Sequence, residues 1–353
     1  MNLRFEASSY QGAARPSAAV TSNWLVTALG FGIFVTALAW VGVATRYSAS
    51  TLATFFLVLG AGATLVSMRM AGSRRHGVAL AVLIAIATLQ ALVLAGLTGS
   101  ISELAFGHPP YENAVAAVAL QGAGASLIVV MIARSRFTKL LGIIVTIAFL
   151  AEIVASGSAA GMLLSLLFPV VALMANGRSR RHVAGVCFGL VLVAIVMTII
   201  LGASPLGRTG NTGALAQASL SERRIELWDD AVRILADEPV SGVGLGNFRY
   251  ASRTARSDAD AAYAHNEYLQ TGAETGIVGM MLLVGGFGWG FTRLAASPGG
   301  RTAVFGVAVA SLTALAIHAS IDYPLHFPLV VFLTVVCFGL ATTQSHPHRE
   351  DLG

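Results

Sequence analysis

The sequence predicts an all-α polytopic membrane protein with about ten transmembrane helices and one large external loop. Three observations support this fold class. Hydrophobic residues make up 56% of the 353 residues and charged residues only 11%, whereas a soluble domain carries about 25% charged residues. Apolar runs long enough to cross a bilayer recur along the chain. The basic residues are clustered between these runs, which is typical of membrane proteins with a fixed orientation.

Ten apolar runs are predicted to be transmembrane helices, because backbone groups in lipid must form hydrogen bonds within their own segment. They are Trp24–Ala44, Thr51–Met68, Gly77–Leu97, Asn113–Ala133, Leu140–Ala155, Ser158–Ala175, Val183–Leu201, Gly276–Phe291, Thr302–Ile317 and Phe327–Thr343. The stretch from Leu140 to Ala175 could be one long helix. We predict a hairpin turning at Ser156-Gly157-Ser158, because only a hairpin places the basic clusters that flank this stretch on the same side.

The distribution of charge predicts the orientation. In the ten-helix topology the basic clusters fall on one side, and the positive-inside rule places that side, with both termini, in the cytoplasm of a bacterial inner membrane. The first run is too long for a signal-peptide core, which favours an uncleaved first helix over a cleaved signal peptide. No nucleic-acid partner is expected from the net charge of +5, because the arginines lie in short clusters between apolar runs. Cys187 and Cys337 lie in apolar runs and are expected to be core residues.

Three regions follow from this topology. Residues 1–201 form an N-terminal bundle of seven helices, residues 202–275 a large periplasmic loop, and residues 276–353 the last three helices with a cytoplasmic tail. The loop holds ten of the 17 acidic residues. Loops of this length usually carry function or are disordered.

The loop begins with a polar stretch, Gly207–Gln217, and then becomes patterned. Ser219 and Glu222 have the spacing of a capping box. After them, Ile225, Trp228, Val232 and Leu235 recur at helical spacing, which predicts an amphipathic helix that ends at Asp237-Glu238-Pro239. Its apolar stripe is expected on the membrane surface or against the ends of other helices. Arg224 and Trp228 are four residues apart and therefore share a face.

Three short motifs follow the amphipathic helix. Gly242-Val-Gly-Leu-Gly246 is interpreted as a tight turn that brings backbone close to another element or a substrate, because a nucleotide-binding loop needs a flanking strand and helix. Asp258-Ala-Asp260 is interpreted as a solvated acidic turn rather than a metal site. His265 lies where a helix starts, and the helix dipole favours the neutral imidazole that a general base requires. A histidine that only caps the helix is the alternative.

Taken together, these motifs resemble the O-antigen ligase and polymerase family of bacterial inner-membrane glycosyltransferases. The resemblance rests on Arg224-x-x-x-Trp228, on Asp237 to Phe248, and on His265-Asn266-Glu267-Tyr268-Leu269-Gln270 with Glu274-Thr-Gly276. It extends more loosely from Ser156 to Pro328. It implies a fold of many transmembrane helices, a donor glycan on undecaprenyl diphosphate, and no metal or other cofactor. A ligase transfers the glycan to lipid A-core, and a polymerase joins it to a growing polysaccharide.

The resemblance also assigns residues. Arg224 would bind the donor diphosphate, His265 would serve the acceptor hydroxyl, and Trp228, Asn266 and Glu274 would contact substrate. Where the family usually has Ser-Arg-Gly or Ser-Arg-Ala, this chain has Ala159 in place of the arginine. The second diphosphate contact is then either missing or supplied by one of three other arginines, which are Arg223, Arg249 and Arg253.

Three further polar residues lie at or near helix ends. Glu152 lies near the external end of the fifth helix, where a charge usually has a partner or a function. It either borders the cavity beneath the loop and binds substrate or lies at the water interface. His318 and Asp322 either border the same cavity or lie at the water interface, and the water interface is the favoured expectation.

The sequence therefore favours a ligase-like glycosyltransferase that uses a lipid-linked donor at the periplasmic face. A repeat-unit polymerase is nearly as well supported. A polysaccharide or lipid transporter is disfavoured, because charged residues are scarce in the helices and the polar residues are concentrated in one loop. Ala159 keeps open a non-catalytic assembly factor. The expected partners are the lipid-linked glycan, a saccharide acceptor and membrane lipid.

Overall fold

The computed structural model describes residues 111–204, 222–257, 261–297 and 302–342, together with Ile84 and Ala87. The first three predicted helices, the stretch Gly207–Gln217, Asp258-Ala-Asp260 and the C-terminal tail lie outside the described residues. Within the described ranges every regular element is helical and no strand occurs. The all-α fold class is therefore confirmed for this part of the chain.

Eleven α-helices and one short 3-10 helix make up these ranges. The helices are α1 (Glu112–Ile132), α2 (Arg136–Ala155), α3 (Ala159–Ser165), α4 (Leu167–Gly177), α5 (Arg180–Ala203), α6 (Glu222–Asp237), α7 (Phe248–Ala251), α8 (Arg253–Ser257), α9 (Glu267–Ala295), α10 (Thr302–Ile321) and α11 (Pro328–Thr342). The 3-10 helix, Pro324–His326, connects α10 to α11.

The core of the bundle is α10, which is buried along almost its whole length. It packs against α1, α4, α5, α9 and α11. Small residues on α10 allow neighbouring helices to approach closely, as is usual in membranes. Polar contacts also join helices here: Gln121 Nε2 on α1 donates to the carbonyl of Ser311 (3.2 Å), and Ser311 Oγ donates to Gln121 Oε1 (2.6 Å).

The outer helices expose large apolar side chains. On α2, Phe137, Leu140 and Ile147 are more than half exposed, which suits helices that face lipid. Among the described residues, six helices are long and apolar enough to cross a membrane, and a seventh, Leu329–Thr342, is shorter. These helices correspond to the last seven of the ten predicted. The count of ten is not tested.

The predicted break between the fifth and sixth helices is confirmed. Helix α2 ends at Ala155, Gly157 has a positive φ of 76°, and α3 begins at Ala159. Ser158 caps α3 by accepting a hydrogen bond from the amide of Gly161. Only Leu166 separates α3 from α4, with helical dihedral angles, so the two form one span.

The bundle has two chemically different ends. At one end, the guanidinium of Arg180 at the start of α5 donates to the carbonyl of Ser297 after α9 (2.8 Å) and lies over the ring of Phe305 on α10. The clusters around Arg134 and Arg178 belong to this basic end. At the opposite end the start of α1, the turn at Ser158 and the end of α10 meet.

The predicted amphipathic helix is confirmed as α6. It buries Ile225, Trp228 and Ala231 and packs against α5 and α9. Of the two locations expected for its apolar stripe, the structure shows the one against other helices. Because α6 is anchored on two spans, the segment from α6 to the start of α9 has a fixed position over the bundle. Its described residues are 222–257 and 261–266, and it is called the external segment below.

The glycine-rich turn Gly242–Gly246 packs against α9 at a point where this helix is interrupted. Helix α9 is interrupted at Gly276, where φ is 72° and the helical hydrogen bonds stop. The amides of Val243 and Gly244 donate instead to the carbonyls of Ala273 (3.0 Å) and Glu274 (2.8 Å), and the amide of Ile277 donates to the carbonyl of Pro239 (2.8 Å). The prediction that this turn brings backbone close to another element is therefore confirmed.

Candidate active site

Asp322 is the centre of a polar cluster at the end of the bundle opposite the basic loops. It follows α10 and is only 1% exposed. Its Oδ2 accepts hydrogen bonds from the Tyr111 hydroxyl (2.6 Å) and from Asn113 Nδ2 at the start of α1, and its Oδ1 accepts one from the amide of Tyr323 (2.9 Å). Asn113 is held in turn by the hydroxyl of Ser158. A buried carboxylate needs such partners to stay ionised.

The imidazole of His265 is a further partner of the Asp322 carboxylate. Its Nδ1 lies 3.3 Å from Asp322 Oδ1. A hydrogen bond to an ionised carboxylate keeps the proton on Nδ1 and leaves Nε2 as an acceptor. The His265 side chain is partly exposed, so an incoming hydroxyl can reach it.

The backbone around His265 is fixed by the ends of two helices. Asn266 caps α9 by accepting from the amide of Leu269 (3.0 Å), and its Nδ2 donates to the carbonyl of Ser320 on α10 (2.7 Å). His265 itself has a φ of 50°, and it is the one described residue other than glycine with a positive φ. The cap is therefore Asn266, and the strained conformation of His265 serves to aim its ring at Asp322.

Arg224 on α6 approaches the same carboxylate from the external segment. Its guanidinium lies 3.5 Å from Asp322 Oδ2, 3.2 Å from the carbonyl of Ile321 and 3.4 Å from the Tyr111 hydroxyl. About a fifth of the side chain (21%) remains exposed. One turn later on α6, Trp228 is fully buried and its Nε1 donates to the carbonyl of His265 (3.3 Å). One helix face therefore positions both the cation and the imidazole.

The surroundings keep Asp322 charged. Burial by itself would raise the pKa of Asp322, but the hydrogen bond from His265 and the charge of Arg224 lower it below its usual value. Tyr111 is affected in the opposite direction: burial and the neighbouring Asp322 charge raise the pKa of its hydroxyl. Asp322 is therefore an anion and Tyr111 a neutral donor at any physiological pH.

The expectation that His318 and Asp322 lie at the water interface is wrong. Each is only 1% exposed. His318 lies on α10, one turn before Asp322, and among the described residues neither of its ring nitrogens has a hydrogen-bond partner. The tertiary structure covers both residues with the external segment and the start of α1, which a pattern of apolar runs does not reveal.

Comparison with known families supports the sequence resemblance. Residues 144–284 match the family model described as O-antigen ligase, and this stretch contains Arg224 and His265. This match supports the resemblance to the O-antigen ligase and polymerase family over residues 144–284. Members of this family are integral inner-membrane, glycosyltransferase-like enzymes that act on lipid-linked sugars. No curated protein matches the chain.

Three residues of the matched stretch that were predicted to contact substrate lie inside the fold. Trp228 and Asn266 are fully buried and hold the backbone around His265 and α10. Glu274 is 3% exposed, and its Oε1 accepts from the amide of Phe248 (3.2 Å) and from Gln270 Nε2 (2.7 Å). Their contacts favour a positioning role for all three.

The arginines considered as replacements for the one missing at Ala159 are all on the surface. Arg223, Arg249 and Arg253 are exposed. The charge of Arg249 acts on Tyr263, a ring beside the site: burial, Glu274 and Glu267 raise the pKa of Tyr263, and Arg249 lowers it. Arg249 is therefore close enough to Tyr263 for its charge to influence that ring.

Glu152 and Ala159 lie near the turn that supports Asn113. Ala159 is exposed and directly follows Ser158. Glu152 is 5% exposed, and within the part of the chain that the structure describes its Oε2 has no hydrogen-bond partner. The alternative that placed Glu152 in water is therefore wrong, and an interior carboxylate without a full set of partners favours a substrate contact.

Sequence reasoning missed Tyr111, Asn113 and Ser158 as members of the site. Tyr111 and Asn113 lie outside the stretch that matches the family. The available signal was local and weak: a Tyr-Glu-Asn sequence directly after Pro109-Pro110 at the start of an apolar run. Their role arises from contacts with Asp322, about two hundred residues away in sequence.

His326 gives the site a pH-dependent contact. Burial by itself would lower the pKa of His326, but the charge and hydrogen bond of Glu267 (3.2 Å), with further negative charge from Glu274 and Asp322, raise it above its usual value. A raised pKa in the folded state stabilises the protein fully below about pH 6.5, and this stabilisation is lost as the pH rises through the folded value.

We therefore expect the melting temperature of the wild type to fall more steeply above about pH 6.5 than that of His326→Gln. Because His326 is partly exposed, the difference should stay below about 1 kcal/mol. Thermal unfolding of both proteins in detergent across this pH range checks the prediction. Parallel curves would contradict it.

Proposed function

We propose that this chain is an O-antigen ligase-like glycosyltransferase that moves a glycan from undecaprenyl diphosphate to a hydroxyl of a saccharide acceptor. The observation that carries the proposal is the convergence of His265 and Arg224 on Asp322. This arrangement brings together a base that can accept a proton from a hydroxyl, His265, and a cation that can bind a diphosphate, Arg224. Both lie at one end of a bundle of apolar helices. Both are needed for transfer from a lipid-linked donor.

His265 is the proposed general base. The acceptor hydroxyl donates to Nε2, its oxygen attacks the anomeric carbon of the donor sugar, and the proton passes to Nε2. The positive imidazolium that forms is stabilised by the Asp322 anion on the opposite side of the ring (3.3 Å). General-base assistance of this kind contributes roughly 10²–10⁴-fold.

Arg224 is the proposed contact for the leaving diphosphate. The bond between the anomeric carbon and the diphosphate oxygen breaks as the new glycosidic bond forms, and negative charge grows on the diphosphate. A guanidinium can meet that charge with two parallel hydrogen bonds, and the exposed part of Arg224 is free to do so. Displacement in one step inverts the configuration at the anomeric carbon.

The two ends of the bundle support a periplasmic location for the reaction. The described basic clusters between helices, around Arg134, Arg178 and Arg293, lie at the end opposite His265. The positive-inside rule assigns that end to the cytoplasm. On this basis the large loop and the site face the periplasm and both termini are cytoplasmic. No nucleotide sugar occurs there, so a pre-activated lipid-linked donor is required.

A deletion strain complemented with variants tests the proposal. Strains carrying His265→Ala or Arg224→Ala should lose long-chain surface glycan on gels and accumulate undecaprenyl-linked glycan, although the protein is present at wild-type level. His182→Ala is the matched control, since His182 is exposed at the basic end, and it should restore the wild-type pattern.

The size of the accumulated intermediate distinguishes the two reactions of the family. Full-length glycan on the lipid supports a ligase, whereas single repeat units support a polymerase and replace the proposed acceptor by a growing chain. Normal surface glycan in both variants would contradict the proposal, and a transporter or a non-catalytic assembly factor would then explain the chain better.

A further inference from the structure

A cluster of aromatic rings lies directly beside His265. The rings of Tyr323 and His265 are 4.9 Å apart between centroids, and Tyr323 packs against Tyr263 at 4.6 Å. Tyr263 also meets the His326 ring at 4.7 Å. Tyr111, stacked on Tyr323 at 5.3 Å, supports the cluster from the start of α1. The cluster thus extends from the proposed base outward.

The outer member of the cluster is accessible. Tyr263 is 37% exposed although it lies among these rings. A monomeric protein gains little from displaying such a ring to water, because aromatic surface is a large hydrophobic contribution when buried.

Polar groups border the exposed ring. His326 Nδ1 lies 3.2 Å from Glu267 Oε2, and this pair is adjacent to Tyr263 through the ring contact with His326. An aromatic face bordered by a carboxylate and an imidazole matches a sugar ring. The C–H face of a pyranose packs on the aromatic face, while its hydroxyls form hydrogen bonds with the polar groups at the edge.

We propose that Tyr263, with Tyr323 beneath it and the His326–Glu267 pair at its edge, binds the sugar ring of the acceptor next to the hydroxyl that reacts. The assignment rests on the proposed function and names the residues that recognise one of its substrates. Tyr263 touches substrate, and Tyr323 positions Tyr263 relative to His265.

The contacts of the cluster favour the acceptor over the donor. Arg224, the proposed diphosphate contact, reaches His265 through Asp322 and the Tyr111 hydroxyl. Tyr263 reaches His265 through the ring of Tyr323. The sugar whose hydroxyl gives its proton to His265 must lie against that imidazole, and the ring cluster is the surface that extends from it on this side.

Direct binding to the full-length chain in lipid nanodiscs tests the proposal without turnover. The probe is the core oligosaccharide released by mild acid from the lipid A-core of the deletion strain, in which the acceptor hydroxyl has not reacted. Saturation-transfer NMR should show the strongest transfer to the C–H protons of one sugar ring. Tyr263→Ala should weaken binding about 10-fold and Tyr263→Phe by less than about 3-fold, because phenylalanine keeps the aromatic face.

Two controls separate this proposal from the proposed function. Tyr250→Ala removes a tyrosine that is 70% exposed in the same external segment and should leave binding unchanged. His265→Ala should still bind the oligosaccharide measurably, because the aromatic face of Tyr263, which carries the proposed contact, is unchanged. Equal binding by wild type and Tyr263→Ala overturns the ring assignment while the transferase proposal stands.

Steady-state kinetics of Tyr263→Ala provide a second test of the acceptor assignment. In membranes supplied with lipid-linked glycan, Tyr263→Ala should raise the KM for the oligosaccharide acceptor about 10-fold and change kcat by less than about 2-fold. A rise in the KM for the lipid-linked donor instead, or a fall in kcat with both KM values unchanged, overturns the acceptor assignment. If Tyr263→Ala weakens binding but His265→Ala cells keep normal glycan, the sugar site stands and the transferase proposal fails.

Discussion

Asp322→Asn is expected to reduce the turnover of this chain by roughly 10³–10⁴-fold, as neutralising the carboxylate behind a catalytic histidine does in other enzymes. The substitution preserves the size of the side chain and changes one acceptor atom into a donor. Asp322 receives only donors: the Tyr111 hydroxyl, Asn113 Nδ2 and the guanidinium of Arg224 at Oδ2, and the Tyr323 amide at Oδ1.

The amide group of an asparagine cannot satisfy this arrangement. If the NH₂ group occupied the Oδ2 position, it would face three other donors. We therefore expect the NH₂ group at the Oδ1 position, where it faces His265 Nδ1. The imidazole must then accept at Nδ1 and carry its proton on Nε2. The nitrogen that faces the acceptor hydroxyl is no longer a base, and the imidazolium has no anion to stabilise it.

The measurement is the initial rate of glycan transfer per folded protein, with folded protein determined by gel filtration. Asp237→Asn is the matched control, because Asp237 is an exposed carboxylate at the end of α6, and it should leave the rate unchanged. The loss should appear in kcat, with the KM of each substrate changed little. If Asp322→Asn kept more than about a tenth of the wild-type rate, Asp322 would not be required to orient His265.

The helices of the described region were largely predictable because membranes impose strong local rules. The length of an apolar run and the basic residues beside it are properties of adjacent residues. They predicted the six described helices that are long enough to cross a membrane, the shorter last helix, and the break at Ser156-Gly157-Ser158. They also predicted α6, where Arg224 and Trp228 share a face. The glycine-rich turn was predicted to approach another element, but which carbonyls it would meet could not be read from its sequence.

The site was predictable only in part, because its centre is a tertiary contact. His265 and Arg224 were singled out by motifs within one segment. Asp322 reads locally as an acidic residue at the end of an apolar run, which normally lies in water. Its burial depends on three segments that converge on it: the start of α1, the external segment and the cap of α9. None of these contacts leaves a periodic signal.

The residues that were predicted to contact substrate, but that are buried, also show what sequence motifs cannot reveal. Sequence placed Trp228, Asn266 and Glu274 in the motifs that carry the family resemblance. The structure shows that their polar atoms are occupied by backbone groups of neighbouring segments. A motif therefore marks residues that build the site as readily as residues that touch the substrate, and only the contacts separate the two.

Gly276→Ala is expected to destabilise the protein by roughly 3–5 kcal/mol, among the larger effects of a single substitution. A Cβ at this position would lie 2.0 Å from the carbonyl oxygen of Val240 and 2.3 Å from its carbonyl carbon. The φ of 72° adds strain for any residue other than glycine. Because the clash is with backbone, a side-chain rotation cannot relieve it.

The loss should extend to the site. Moving the turn away from α9 breaks the hydrogen bonds from Val243, Gly244 and Ile277 that replace the interrupted helical ones. The first part of α9, which carries the Asn266 cap, would then lose its support. We expect an apparent melting temperature lower by on the order of 10 °C, measured by gel filtration after heating, together with a loss of glycan transfer at temperatures where the wild type is stable.

Gly285→Ala provides the matched control on the same helix. A Cβ at Gly285 meets nothing within 4 Å, and alanine is favoured over glycine inside a helix by about 0.5–1 kcal/mol. Gly285→Ala should therefore be as stable as the wild type or slightly more stable. Equal stability of the Gly276 and Gly285 variants would mean that the crossing of the turn and α9 is looser than described. A loss of stability and of glycan transfer confined to Gly276→Ala would support a role of this crossing in anchoring the first part of α9, and with it the proposed base.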